Sequence, residues 1–373
     1  MNNATVAITR CSSYDYPLVE KAIKEICDNA NFPEVANKTV LVKPNILSDS
    51  SPEKGITTHP EVVRALIRHL HAKGAKVLVG DSPGLHGPTF FPRTSGIGKV
   101  VTEEGATWCE FAKDPVMTSI TGVFNLKLPL PKALEEIDII ISVAKLKTHQ
   151  LMYATGAVKN IFGMVPGLHK SACHMLYPTR ESFAKMLGGL YSVIKPHFAI
   201  MDGIVGMEGP GPAAGIPRHI GLLLASNDPT ALDVSQSIIM GYDPMDLPLT
   251  RELLKRKLTK WSVVEDINYP LLNAKDLELK DFKRIEISKK QSVIGSVLIP
   301  MLTNRFKMRH RQKEKKPLFN REICIGCGKC VEICPAIAIV LDSDKKAVCN
   351  YNKCIRCYCC HEVCPVNAIE IES

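Results

Sequence analysis

Short apolar runs separated by longer amphipathic stretches dominate the first 290 or so residues. Val6–Thr9, Val40–Val42, Lys76–Val79, Ile139–Val143, Phe198–Met201 and Ile220–Ala225 are too short for helices and predict strands. Helical patterns lie between them. One spans Tyr16–Asn29. A second opens at Pro60, behind Thr58 and His59, runs to about Lys73 and stops at Gly74. A third, capped by Asn227-Asp228-Pro229, runs to about Met240. Strands alternating with helices predict an α/β fold with a mostly parallel sheet and helices on both faces. Residues 84–135 and 150–195 are less regular and rich in Gly, Pro and Thr, which predicts functional loops or an inserted subdomain there.

With 373 residues, 45% of them apolar and 23% charged, the chain has room for two or three domains and a real core. Three parts are expected: an α/β domain over 1–290, a basic linker over 291–316 and a cysteine-rich module over 317–373. The net charge of +9 is unevenly placed, because Arg305–Lys316 alone holds seven basic side chains and one acidic. The remainder is close to neutral, which excludes a protein that coats nucleic acid. Val293–Leu302 is too short to span a bilayer. Followed by the basic run, it reads as a solvated connector, or as an amphipathic segment for an acidic electron donor or an anionic membrane surface. Met1–Arg10 lacks the charged and apolar regions of a secretory signal, so a cytoplasmic protein is expected.

Ten of the fourteen cysteines follow residue 320, and clustered cysteines in such a chain point to metal. Cys324, Cys327, Cys330 and Cys334, then Pro335, fit C-x2-C-x2-C-x3-C-P; Cys354, Cys357, Cys360 and Cys364, then Pro365, repeat it. That is the two-cluster ferredoxin spacing, in which the fourth cysteine of each run ligates the other cluster. One [4Fe-4S] cluster is therefore assigned to Cys324, Cys327, Cys330 and Cys364. The other takes Cys354, Cys357, Cys360 and Cys334. Strand-like tails, Ala336–Leu341 and Val366–Ile371, follow the two runs and predict a small α+β ferredoxin-like domain. Zinc also takes four thiolates, but two complete runs each closed by Pro favour clusters. Cys349 and Cys359 fall outside the pattern and read as bystanders, as does the inert thiol of Cys173.

In open α/β sheets, ligands sit beyond the carboxyl ends of the strands. Lys43 and Asn45 follow one strand there, Asp81 and Ser82 another, Lys145, Lys147 and His149 a third, Asp202 a fourth, and Asn227 and Asp228 a fifth. Lys145 and Lys147, two residues apart on an extended segment, suit a carboxylate or phosphate. Gly156–Gly167 is a glycine-punctuated stretch containing Lys159 and Asn160, whose glycines would let backbone approach a ligand. It matches neither the Walker nor the dinucleotide fingerprint, so no ATP or NAD is expected. His174 follows as a candidate acid or base. Asp202–Gly215 reads as a second Gly/Pro-rich loop, a lid or ligand wall.

Residues 317–373 resemble a bacterial two-[4Fe-4S] ferredoxin domain. The first block resembles domain of unknown function 362 through Val42-Lys43-Pro44-Asn45, Gly80-Asp81-Ser82-Pro83-Gly84, Ala144–His149, Gly156–Asn160 and Asp202-Gly203. The resemblance implies an α/β fold in a redox setting. Lys159, Ile161, Gly163, Pro166-Gly167 and His174 are also similar to part of the nickel-pincer lactate racemases, in which a lysine holds an organometallic cofactor covalently. Met164 and Val165 interrupt that likeness, which bears on architecture rather than on nickel.

The expected function is that of an iron–sulfur oxidoreductase. A redox protein or small reductant supplies electrons, and the clusters pass them singly to an anionic small molecule on the α/β rim. Lys145, Lys147 and Lys159 would bind the anion, and His149 or His174 would protonate the product. A flavin would bridge one- and two-electron steps, though no fingerprint marks one. The alternatives are a non-catalytic electron carrier or assembly module, and a racemase-like enzyme with its cofactor on Lys159.

Overall fold

The computed structural model describes residues 4–87, 89–287 and 314–372. The expected linker over 291–316 therefore lies almost wholly outside the described residues. The sheet is built from β1 (Val6–Arg10), β2 (Thr39–Pro44), β3 (Lys76–Val79) and β4 (Thr107–Trp108). A separate hairpin, β5 (Val116–Ser119) and β6 (Lys127–Leu130), interrupts it. It resumes with β7 (Ile139–His149), β8 (Tyr153–Thr155), β9 (Phe198–Glu208) and β10 (Ile216–Ser226). The order is β1-β10-β9-β7-β2-β3-β4, with β8 on the end of β7. β9, β7, β2, β3 and β4 run parallel, so the α/β expectation holds.

Period-two alternation splits the core into two layers. Val40, Val42, Ile139, Ile141, Val143, Phe198 and Ile200 face one side. There they meet α1 (Tyr16–Asn29), α2 (Pro60–Ala72) and α3 (Ile97–Glu103). Leu41 and Ile140 face the other side with α4 (Ala157–Asn160), α5 (His169–Leu176) and α6 (Arg180–Ile194). Ala199 and Met201 also face that side, toward α7 (Pro229–Ile239). A last helix, α8 (Pro248–Lys255), packs on α6. Asp228 caps α7 by accepting the Thr230 N–H, and Thr179 with Ser182 forms a capping box on α6.

Three expectations about the rim change. The third strand does not end at Val143 but continues through His149, which places Lys145, Lys147 and His149 inside a buried strand. Asp202–Glu208 belongs to β9, not to a loop, because β9 and β10 pair as a long hairpin. β10 runs antiparallel to β9, so Asn227 and Asp228 lie at the opposite end of the sheet from Lys43 and Asp81. The irregular stretch 150–195 is mostly helical.

The cysteine-rich module has two small antiparallel pairs, β11 (Pro317–Phe319) with β14 (Ile369–Ile371), and β12 (Ile339–Leu341) with β13 (Ala347–Cys349). Short helices Lys329–Glu332 and Cys359–Val363 follow equivalent points of the two cysteine runs. The Ala338 N–H donates to Cys334 Sγ, and the Ala368 N–H donates to Cys364 Sγ. The internal repeat therefore extends to hydrogen bonds.

Candidate functional site

Two pairs of neighbouring strands build two buried ion pairs. β2 and β3 end side by side, and Lys43 meets Asp81 at 2.7 Å. Lys43 Nζ also donates to Asn160 Oδ1 at 3.0 Å, and Asn45 Nδ2 donates to the same oxygen at 3.2 Å. Asn160 Nδ2 donates to Lys43 O and Ser142 Oγ, so every polar atom of the Asn160 side chain is engaged. On β7 and β9 the register sets Lys145 opposite Asp202, and they pair at 2.8 Å. Tyr14 OH accepts from Lys145 and donates to Asp202, and the His59 ring stacks on Tyr14 at 3.5 Å.

The glycines have a local purpose as well. A Cβ at Gly163 would fall on the Asp81 carboxylate and crowd Lys43 Nζ, and one at Gly156 would fall on Asp233. The close approach that these glycines permit is by the chain's own carboxylates. Asp233 accepts the Ala157 and Val158 N–H groups at 2.5 and 3.1 Å and caps α4, the helix that carries Lys159. Burial pushes its carboxyl up to about 7. Ser82 is held too: its carbonyl accepts from Lys170 at 2.7 Å, and Lys170 is drawn down to about 7 by burial.

Lys147 and Lys159 differ from Lys43 and Lys145. Lys147 is buried and donates to Ile56 O at 2.7 Å, with no carboxylate in ion-pair reach among the described residues. Lys159 is half-buried, and no described residue hydrogen-bonds to its ammonium group. Burial draws both ammonium groups down, Lys147 well down, with the charge of Lys159 adding to the effect; Glu362 opposes it at both. His149 Nδ1 accepts the Leu151 and Met152 N–H groups at 3.1 and 3.2 Å, so its proton sits on Nε2, 3.3 Å from Glu362 Oε1. Burial, then the Lys159 charge, hold the ring neutral. With Nδ1 committed to backbone, His149 is a hydrogen-bond donor rather than a proton source. His174 is buried on α5, stacked on Phe183 at 4.4 Å and edge-on to Phe162.

Glu362 comes from the cysteine module, which docks over these side chains. Its helix Cys359–Val363 places Cys360 on a cavity wall, Glu362 toward His149, and His361 against Pro210 O at 2.9 Å. Leu85, in the loop after β3, packs with Ile333, Ile355, Cys357 and Cys359. Tyr358 joins the buried apolar cluster of Phe162, Leu151 and Met152. Cys359 is close enough to Lys159 to act on its charge. Sequence reasoning missed Glu362 because it sits among cysteine spacers, and missed Arg180, whose guanidinium lies over Tyr153 and donates to Gln150 O.

The module encloses two cavities. One is lined by Cys324, Cys327, Cys330 and Cys364; the other by Cys334, Cys354, Cys357 and Cys360. No three His, Cys, Asp or Glu among the described residues converge as ligands of one metal ion. Two four-thiol, otherwise apolar cavities, each lined by three cysteines of one run and the fourth of the other, fit polynuclear clusters.

An α/β sheet whose rim lysines are covered by a cysteine module with two four-thiol cavities defines an iron–sulfur electron-transfer protein. Residues 40–236 match the domain of unknown function DUF362, and residues 316–365 match a 4Fe-4S dicluster domain. The chain belongs to the DUF362 family and carries two [4Fe-4S] clusters in its C-terminal domain. It is 30% identical to a thylakoid-associated protein of Synechocystis sp. over 288 residues, 76% of this chain and 88% of that protein. The lactate racemase apoprotein of Thermoanaerobacterium thermosaccharolyticum is similar at a TM-score of 0.35 and 13% identity, over 58% of this chain and 54% of that one. At that score the likeness carries no weight for activity. No helix among the described residues is long and apolar enough to cross a membrane.

Proposed function

We propose that this protein is a reductase that delivers single electrons to an anionic small molecule held by Lys147 and Lys159. Cys324, Cys327, Cys330 and Cys364 would hold the outer cluster, and Cys334, Cys354, Cys357 and Cys360 the inner one. When bound, the clusters supply low-potential electrons one at a time. One observation carries the proposal: a single short helix walls the inner cavity with Cys360 and reaches the lysine cleft with Glu362.

The cleft's own groups suit an anion. Lys147 and Lys159 lack a carboxylate partner in ion-pair reach among the described residues, and the acid drawn toward them, Glu362, is itself a carboxylate. Charge that develops on a bound acceptor meets two ammonium groups in a site of low dielectric. The lowered pKa of Lys159 also makes it the better proton source, a role that His149 cannot fill with Nδ1 committed. His149 Nε2–H faces Glu362 and orients that side chain at the lysines. Lys43, Asn45, Asp81, Ser82, Lys145, Asn160 and Asp202 position this cleft through their mutual bonds.

The test is anaerobic discharge. Cluster-loaded protein, reduced and freed of reductant, is mixed with a panel of small carboxylates and phosphate esters. An acceptor should discharge it in proportion to concentration, and Lys159→Ala should slow discharge by about tenfold or more. Discharge that is indifferent to Lys159, or that occurs only to other proteins, would favour a plain electron carrier.

A further inference from the structure

The two halves of the cysteine module repeat at an offset of 30 residues, Cys324 to Cys354 and Cys330 to Cys360. Their backbone donors match. The Ala338 N–H donates to Cys334 Sγ in one half and the Ala368 N–H to Cys364 Sγ in the other. The Asn350 N–H donates to Ala338 O, and the Asn320 N–H to Ala368 O. Cys349 on β13 therefore stands where Phe319 stands on β11, and Cys359 stands where Lys329 does. Phe319 and Lys329 line the outer chamber, that of Cys324, Cys327, Cys330 and Cys364. The two cysteines instead reach ligands of the inner chamber. The Cys349 side chain hydrogen-bonds to that of Cys354, and the Cys359 side chain to that of Cys357. Cys349 packs against the group that holds Cys330, Ile339 and Cys360, and buried Cys359 packs with Ile333, Ile355 and Cys357. The remaining cysteines outside the ligand pattern, Cys11, Cys27, Cys109 and Cys173, lie in the α/β domain.

We propose that Cys349 and Cys359 are S–H donors to the thiolates of the inner cluster and raise the reduction potential of that cluster alone. The inference rests on the ligand sets given above, and not on which molecule accepts the electrons. A cysteine bound to iron is a thiolate with no hydrogen to give, so in each pair the S–H belongs to the cysteine outside the pattern. A donor aimed at a ligand sulfur favours the more negative, reduced state, and hydrogen bonds to sulfur are among the factors that set a cluster's potential. Burial acts the other way, because added charge gains less from a low-dielectric surrounding than from water. The inner chamber is the more enclosed: Cys357 and Cys360 are buried, whereas Cys327 of the outer one is exposed. The two thiols offset the burial penalty where it is larger. An electron then settles at the end of the module that turns Glu362 toward His149, Lys147 and Lys159. It moves with no bond formed or broken, and both thiol protons stay in place.

The experiment follows both clusters by electron paramagnetic resonance as full-length, cluster-loaded protein is poised at stepped potentials without oxygen, with iron analysis of every variant. Cys349→Ala and Cys359→Ala should each keep about eight irons. Each should lower one potential, the same one in both variants, so that the ratio of reduced to oxidised cluster at a fixed potential falls about threefold or more. The double variant should combine the two shifts on that cluster. Cys349→Ser and Cys359→Ser, which keep an O–H donor, should lie closer to wild type. Cys27→Ala, which removes a buried thiol of α1, should move neither potential. Unchanged potentials at full iron content would overturn the proposal and leave the ligand sets standing. So would shifts that fall on different clusters in the two variants, or serine variants that drop as far as alanine. Loss of half the iron in either alanine variant would make that cysteine a ligand, and would overturn both the proposal and the ligand set.

Discussion

Four lysines stand along one rim, and their partners divide them. Lys43 and Lys145 are locked to Asp81 and Asp202 in buried ion pairs. The Lys147 ammonium has a backbone carbonyl, and the Lys159 ammonium has no hydrogen-bonding partner among the described residues. All four look alike along the chain. Paired charges in the interior hold elements in register; an unpaired buried ammonium costs folding energy, and that cost is tolerated where a ligand or a reaction uses the charge.

The comparison breaks most readily at the paired lysines. Asp81→Ala or Asp202→Ala strands a buried ammonium and should cost about 3–5 kcal/mol, read from the denaturant midpoint. The double change Lys43→Met with Asp81→Leu should recover most of that loss. A midpoint barely moved by either single change would make these pairs no more structural than their neighbours. Gly163→Ala pushes a methyl onto Asp81 and Lys43 and should cost about 1–3 kcal/mol by the same assay, with less effect if the Asp81 side chain swings free.

The unpaired lysines should behave in the opposite way. Lys147→Met ought to leave stability within about 1 kcal/mol of wild type, because a buried charge and one carbonyl hydrogen bond are lost together. Discharge to an anionic acceptor should nevertheless slow severalfold. A large stability loss without a change in discharge would place Lys147 among the structural pairs.

A pH dependence comes from Asp233 beneath Lys159. Its folded pKa, about 7, lies above the ordinary 3.8, so the folded state holds the proton more tightly. The stability this contributes is full below 3.8 and is lost as pH rises through about 7. Thermal midpoints should therefore decline across that window. In Asp233→Asn the decline should flatten, even though the helix cap is weakened at every pH.

Much of the fold was legible along the chain. The short apolar runs marked six sheet strands, and the cysteine spacing marked the dicluster domain. The alternation of Val40, Leu41 and Val42 between two core layers shows why such runs form strands with both faces buried. Strand ends were not legible, because Lys145 and Lys147 look like surface residues until burial inside β7 is known. Pairing was hidden too. Lys145 meets Asp202 only through the β7–β9 register, across 57 residues. The glycines of 156–163 signalled close approach, but sequence alone could not say that Asp81 and Asp233 make it. Glu362 carried no local signal, since its role arises from docking between domains.

Coupling between the lysine cleft and one cluster, and not the other, is best measured by anaerobic potentiometric titration of both clusters in wild type and Lys159→Ala. Removing an ammonium beside the inner chamber should make one cluster harder to reduce and leave the other where it was. Two unchanged potentials, or two that move together, would contradict the placement of the lysine cleft at the end of the electron path.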